Sequence, residues 1–182
     1  MSDAPLGGAR ILVVGASGIL APFVARVLAC GHAVVAVTRD RDHLVALGRP
    51  SQHLQVVVAD AQSSEGIDAI TAVGSLDGAA LYGPAIDPSL LPVLLRRVNG
   101  CAALVVTSSL ADPSTGLDLD VAREIVRPRT GDVVVVLGWT GAPGRARWHS
   151  PEEISEAVSR ALAYGEDSVV GRVRPWDERP RG

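Results

Sequence analysis

Residues 11–40, ILVVGASGILAPFVARVLACGHAVVAVTRD, read as a strand, a glycine turn, a helix and a second strand. Ile11 to Val14 form an apolar run, and Gly15 to Gly18 turn the chain. An apolar-faced helix then runs to Cys30, and Gly31 and His32 return the chain into AVVAVT, which ends before Arg39 and Asp40. A glycine turn feeding a helix N-terminus aims several backbone N–H groups at one spot, where the helix dipole also favours negative charge. Bracketed by two strands within about 30 residues, such a turn is the fingerprint of a dinucleotide pyrophosphate site.

Outward from this stretch, short Val/Leu/Ala runs bounded by Gly, Asp or Ser alternate with amphipathic ones to the end of the chain. Strands are expected near 10–14, 33–38, 54–59, 77–82, 102–108, 132–138 and 168–174. Helices are expected near 18–30, 40–48, 64–74, 88–98, 117–127 and 151–164. Continuous apolar runs of this length suit parallel strands buried on both faces. The last helix has the clearest start signal: Ser150 at the cap, Pro151 at the first helical position and Glu153 completing a capping box. The expected fold is α/β, a doubly wound parallel sheet (Rossmann fold) of about seven strands in order 3-2-1-4-5-6-7. Residues 1–182 then form a single dinucleotide-binding domain whose ligand crevice lies beyond the carboxyl ends of the first and fourth strands.

Composition narrows the function. All 17 Lys+Arg residues are arginine, so any Schiff-base lysine is excluded. Net charge is −3 and the arginines are scattered, which argues against a nucleic-acid partner. No apolar run reaches the ~18 residues of a membrane span, and the first ten residues lack the pattern of a signal peptide. The expectation is a cytoplasmic protein. Cys30 and Cys101 have no metal-ligand spacing and read as reduced thiols, so no metal is expected.

Within the glycine turn, Gly15 permits the tight bend, Gly18 lets a pyrophosphate approach, and Ser17 offers a hydroxyl, with Ile19 and Leu20 following at the entry to the helix. Ala21, where a third glycine would stand, is still small enough for helix–strand packing. The second strand ends in Thr38 rather than in the acid that accepts from a ribose 2′-OH, and Arg39 follows. A guanidinium there can grip a 2′-phosphate, so NADP(H) is preferred and NAD(H) remains open; a surface ion pair with Asp40 or Asp42 is the plainer reading. Asp60 and Ala61, after the third strand, are candidates for the adenine, although Asp60 serves equally as a helix cap. Tyr82 and Gly83, after the fourth strand, would flank the nicotinamide ribose.

These residues resemble the short-chain dehydrogenase/reductase superfamily in its atypical branch, and in particular small bacterial proteins of about this length. Further marks of the resemblance are Thr107, Ser108 and Ser109 after the fifth strand, Arg147 and Trp148 ahead of Ser150–Ser155, and Pro175 to Pro180 near the end. The resemblance implies a catalytic serine at Ser108 or Ser109. The tyrosine and lysine that accompany it in full-length members are absent: Val121 and Ala122 stand where the tyrosine would fall. Both serines have an alternative role in capping the strand end. Tyr82 and His149 are the remaining candidates for proton transfer, His149 because it lies in the long loop 139–150 and titrates near neutrality. In that loop Trp139 and Trp148 would wall a substrate pocket, with Arg145 and Arg147 available to a carboxylate.

The resemblance and the missing pair together suggest an NADP(H)-dependent oxidoreductase acting on a small organic substrate. An imine, an iminium or an activated C=C or C=O would suit a site without a strong protein acid. A non-redox nucleotide-binding regulator, or a cyclase or isomerase on the same scaffold, are the alternatives, since fold alone does not choose between them. A homodimer is compatible with this reading.

Overall fold

The computed structural model describes residues 8–40, 52–142 and 144–180. Its strands are β1 (Arg10–Val14), β2 (Ala33–Thr38), β3 (Leu54–Val58), β4 (Gly78–Tyr82), β5 (Ala102–Thr107), β6 (Val133–Leu137), β7 (Trp139–Thr140), β8 (Arg147–Trp148) and β9 (Ser168–Val170). Its helices are α1 (Ala21–Ala29), α2 (Ser64–Thr71), α3 (Leu91–Leu95), α4 (Leu119–Val126) and α5 (Pro151–Tyr164). Seven strands form one sheet in the order β3-β2-β1-β4-β5-β6-β9, every pair parallel. This is the expected doubly wound order, with β9 as the seventh strand.

Successive strand residues point to opposite faces, and each face acquires its own core. Val13, Val105 and Val135 meet Phe23, Val24 and Val27 of α1 and Ile154 and Val158 of α5. Leu12, Val14 and Leu81 meet Ile67 and Ile70 of α2 and Leu94 and Leu95 of α3. α5 starts on the full Ser150/Glu153 capping box and stops at Gly165, which takes a left-handed conformation.

Several boundaries differ from the expectation. α1 begins at Ala21 rather than at residue 18, because Pro22 has no N–H to donate and belongs in a helix's first turn. Residues 15–20 form turns instead. The helices expected at 88–98 and 117–127 shrink to the five residues of α3 and the eight of α4. The last strand leaves the sheet after Val170, since Arg172 pairs with Trp139 through two backbone hydrogen bonds of 2.9 and 3.0 Å. The helix expected near 40–48 lies outside the described residues. Among the described residues no helix is long and apolar enough to cross a membrane.

The long loop after β6 is a hairpin. β7 and β8 pair antiparallel, Trp139 opposite Trp148 and Thr140 opposite Arg147. Trp139 is fully buried between Val134, Val136 and Val173. Its ring meets Trp148 and Trp176 edge-on, both at 6.1 Å between centroids. All three tryptophans of the chain thus lock the hairpin to the C-terminal segment.

Candidate functional site

The carboxyl ends of the central strands open onto two adjoining cavities. The first, about 200 Å³, is bordered by Gly15, Ser17, Gly18 and Ile19 of the turn, Thr38 and Arg39 after β2, Ala59 and Ala61 after β3, and Tyr82. The second, about 260 Å³, is bordered by Ile19, Tyr82, Thr107, Ser108, Leu137, Gly138, Trp148, His149 and Ile154. Ile19 and Tyr82 border both.

The turn has features an anion needs. Gly15 has φ +92°, and a Cβ there would stand 3.0 Å from the Tyr82 Cβ. Only glycine therefore permits both the turn and the close seat of the tyrosine. The N–H groups of Gly18 and Leu20 are taken by the Gly15 carbonyl, and that of Ala21 by Gly18. Those of Ser17 and Ile19 have no partner among the described residues. Fewer donors are free than a helix beginning at residue 18 would offer. A Cβ at Gly18 would meet nothing within 4 Å, so the space before the turn is open. The Ser17 hydroxyl lies 3.0 Å from that of Thr38, which ties the turn to the end of β2. Arg39 is exposed beside this cavity, and its guanidinium has no hydrogen-bond or ion-pair partner among the described residues. These features fit a phosphate-bearing dinucleotide laid from Arg39 across the turn to Tyr82.

Other candidates fall elsewhere. Leu20 is fully buried in the core against β1, so its side chain does not reach the cavity. Asp60 is exposed and outside the cavity lining. Its carboxylate accepts from Gln62 N–H at 3.1 Å, and its carbonyl accepts from the backbone N–H of Ser63 at 3.0 Å. Gly66 of α2 packs directly over that carbonyl, which makes Asp60 part of the α2 entry. Gly83 lies on the other face of the sheet, bordering an apolar groove between α3 and α4.

The two serines separate. Ser108 is buried and borders the second cavity, with no hydrogen bond to its hydroxyl among the described residues. Ser109 is exposed, borders the groove instead, and shares a 2.6 Å hydrogen bond with Thr107. The chain enters a short 3₁₀ turn at Ser108, which throws the two neighbours to opposite sides.

His149 borders the second cavity, with one ring nitrogen engaged by protein and the other buried. Nδ1 lies 3.2 Å from Glu153 Oε2. Nε2 is buried without a partner and abuts Gly171, where any Cβ would fall 2.2 Å from it. Arg147 grips Glu153 through two hydrogen bonds of 2.8 and 2.9 Å and is not available to a substrate carboxylate. Arg147, the Ser150 N–H and His149 together hold the Glu153 carboxyl at about 2. Sequence reasoning saw in Glu153 only a helix cap. The capping box that turns Glu153 back over Ser150 also brings its carboxylate to His149, the residue before the cap. Of the two loop tryptophans, Trp148 borders the cavity, and Trp139 belongs to the core.

No protein-family model matches the sequence, and no curated protein matches it. Solved structures share its fold over nearly the whole chain. MalC reductase/Diels-Alderase from Malbranchea aurantiaca superposes with a TM-score of 0.65 at 13% identity, covering 91% of this chain and 94% of its own. A short-chain dehydrogenase from Burkholderia cenocepacia J2315 in complex with NADP gives 0.62 at 16% identity, covering 91% and 89%. A 3-ketoacyl-(acyl-carrier-protein) reductase from Brucella melitensis complexed with NADH gives 0.60 at 14% identity, covering 91% and 98%. At such identities the likeness establishes the class of fold, a Rossmann-type doubly wound domain.

Proposed function

We propose that the chain is an NADP(H)-dependent oxidoreductase of the short-chain dehydrogenase type, acting on a small organic substrate in the cavity beside Tyr82 and Ser108. The observation that carries this reading is the pair of cavities meeting at Ile19 and Tyr82, one beside a glycine turn and the exposed Arg39, the other apolar and lined by hydroxyls. The fold neighbours that carry NADP and NADH support it. NADPH is preferred over NADH, because Arg39 stands at the end of β2, where a ribose 2′-phosphate would fall. The bound nicotinamide supplies or accepts the hydride.

In this reading Ser17 and Ile19 N–H groups take the pyrophosphate, and Tyr82 separates its two ends. Trp148, Leu137 and Ile154 exclude water from the reacting atoms. The hydroxyls of Tyr82 and Ser108 are the groups free to hydrogen-bond a carbonyl or imine. Of the two, the phenol is the better acid and is the proton donor. His149 acts through Glu153 to seat the Trp148 side of the cavity. With no lysine in the chain to strengthen the phenol, a substrate already activated, such as an imine, an iminium or a conjugated carbonyl, suits the site best. A cytoplasmic setting agrees with the unpaired Cys30 and Cys101.

Titration calorimetry tests the cofactor assignment. NADPH should bind more tightly than NADH, and Arg39→Ala should cost about 1–2 kcal/mol of NADPH affinity alone, the worth of a charge-assisted contact. Equal affinities in the wild type would overturn it. Loss of reduced-nicotinamide absorbance across a panel of imines and conjugated carbonyls tests the activity. In that assay Tyr82→Phe should lower kcat and leave the NADPH dissociation constant unchanged. NADPH binding without turnover on any of them would favour a nucleotide-sensing role or, as the reductase/Diels-Alderase neighbour suggests, ring closure.

A further inference from the structure

We propose that the apolar groove between α3 and α4 holds the unbranched aliphatic tail of a substrate whose reacting atoms lie beside Tyr82. This rests on the oxidoreductase reading above and adds the chemical class of the substrate, a conjugated ketone or imine with a hydrocarbon chain. The groove measures about 700 Å³ and is floored by Leu104 and Val106 of β5. It is open because α3 has five residues and α4 eight, too few to roof the strands beneath. The cavity beside Tyr82 measures about 260 Å³, under the roughly 300–1,000 Å³ of sites that enclose a whole ligand. It takes a reacting head, and the rest of a larger substrate must lie elsewhere. Thr107 borders both spaces. Beyond it the chain sends Ser108 to the cavity and Ser109 to the groove. A substrate crossing the carboxyl end of β5 at Thr107 therefore passes from one space into the other.

The lining selects the occupant. Pro84, Pro88, Pro92 and Pro128 face the groove and have no backbone N–H to donate. The polar side chains in its walls are already bonded. Thr107 and Ser109 share the 2.6 Å hydrogen bond, and the Thr115 hydroxyl donates to the Asp112 carbonyl at 2.8 Å. Arg127, the one charged side chain lining the groove among the described residues, is held by Glu124, Asp167 and the Asp132 carbonyl. A charged or hydroxylated ligand would give up water here without gaining a partner, whereas every methylene gains by leaving water. Among the described residues no aromatic side chain lines the groove, so a planar ring has nothing to stack on and a flexible chain fits best.

NADPH consumption with conjugated methyl ketones, their tails running from methyl to heptyl, reads the tail directly. Each turnover moves a hydride from NADPH and one proton onto the C=C bond. The ratio kcat/KM should rise about threefold per added methylene, through KM rather than kcat, and level off once the groove is full. Ser109→Phe, at an exposed position, sets a ring in the passage and should cut the advantage of the long tail at least tenfold. Ser109→Ala removes only the bond to Thr107 and should keep that advantage. Calorimetry with decanol on the cofactor-free chain reads the groove without any turnover. Binding should be saturable and at least tenfold weaker in Leu117→Trp, a 40% exposed position on the groove wall, with circular dichroism unchanged. Decanol binding without turnover of any ketone would support the aliphatic site and overturn the oxidoreductase reading instead. Absence of saturable decanol binding, or ketones consumed equally well whatever their tail, overturns the proposal. So does a decanol affinity that falls as protein concentration rises, the mark of a groove closed by a second copy.

Discussion

The two ends of the parallel sheet are built from similar residue types and treat them in opposite ways. At the amino end, the buried charges of the β5–β6 edge are saturated. Asp132, 3% exposed, accepts from Ala102 N–H at 2.9 Å and from two atoms of Arg129. Arg129 in turn caps the carbonyls of Leu95, Val98 and Gly100. Arg127 bridges Asp167 and Glu124 and also donates to the Asp132 carbonyl. Burial pushes the Asp167 carboxyl up, but the Arg127 guanidinium and the Val134 N–H outweigh it and hold it below the usual range. At the carboxyl end, Ser17 and Ile19 N–H, Arg39, Tyr82 and Ser108 keep capacity unused among the described residues. A buried donor left without a partner costs stability, so groups left unpaired are tolerated where water or a ligand reaches them. The saturated end holds the strands in register, and the unsaturated end is where chemistry is available.

That contrast can be broken at several strengths. The largest effect is expected from Asp132→Ala. It strands Arg129 and the Ala102 N–H at the start of β5, and urea unfolding should show a loss of about 3 kcal/mol. Cofactor affinity in the molecules still folded should not change, because the ligand end is untouched. Gly18→Val should do the reverse. Its side chain enters open space, so the melting temperature without ligand should stay near that of the wild type. The rise in melting temperature on adding NADPH should disappear, because the branched side chain occupies the pyrophosphate volume. An unchanged rise would move the nucleotide elsewhere.

The smallest effect concerns the Arg147–Glu153–His149 contact, at the carboxyl end but paired like the amino end. Glu153 is lowered from an ordinary 4.5 to about 2. Its contribution to stability is therefore complete above about 4.5 and is lost as pH falls toward 2. Tryptophan fluorescence should report a loosening of Trp148 in that window, and Glu153→Gln should remove that pH dependence. The same hairpin, from Trp139 to His149, should gain hydrogen-exchange protection when NADPH and a substrate analogue bind, if it walls the substrate pocket.

Much of the fold was legible because each element carries its own local signal. The aliphatic runs of β1, β2 and β6 are continuous, and Ser150, Pro151 and Glu153 announce α5 without reference to anything distant. The misreadings were of another kind. The early start assigned to α1 gave the apolar residues more weight than Pro22, which delays the helix by nearly a turn. The overlong final strand ignored Trp139, whose backbone captures Arg172 and pulls the chain off the sheet. No periodicity within 168–174 records that competition.

The candidate site was legible to a smaller depth. That Gly15, Ser17, Gly18 and Arg39 border one cavity was readable because a turn and a strand end are local features, and Gly15 to Gly18 is a contiguous stretch. Separating Ser108 from Ser109, or Trp148 from Trp139, depends on the direction in which a side chain leaves the backbone. A one-residue change in where a strand ends reverses that direction. The sequence by itself therefore determined the alternation of strands and helices, the sheet order, the glycine turn after β1 and the absence of any lysine-based chemistry. Tertiary structure alone decided that Tyr82 and Ile19 join two cavities, that His149 turns Nδ1 to Glu153 and packs its other edge against Gly171, and that the shortened α3 and α4 leave an apolar groove open. Those are contacts between residues far apart in the chain, set by packing geometry that no local pattern encodes.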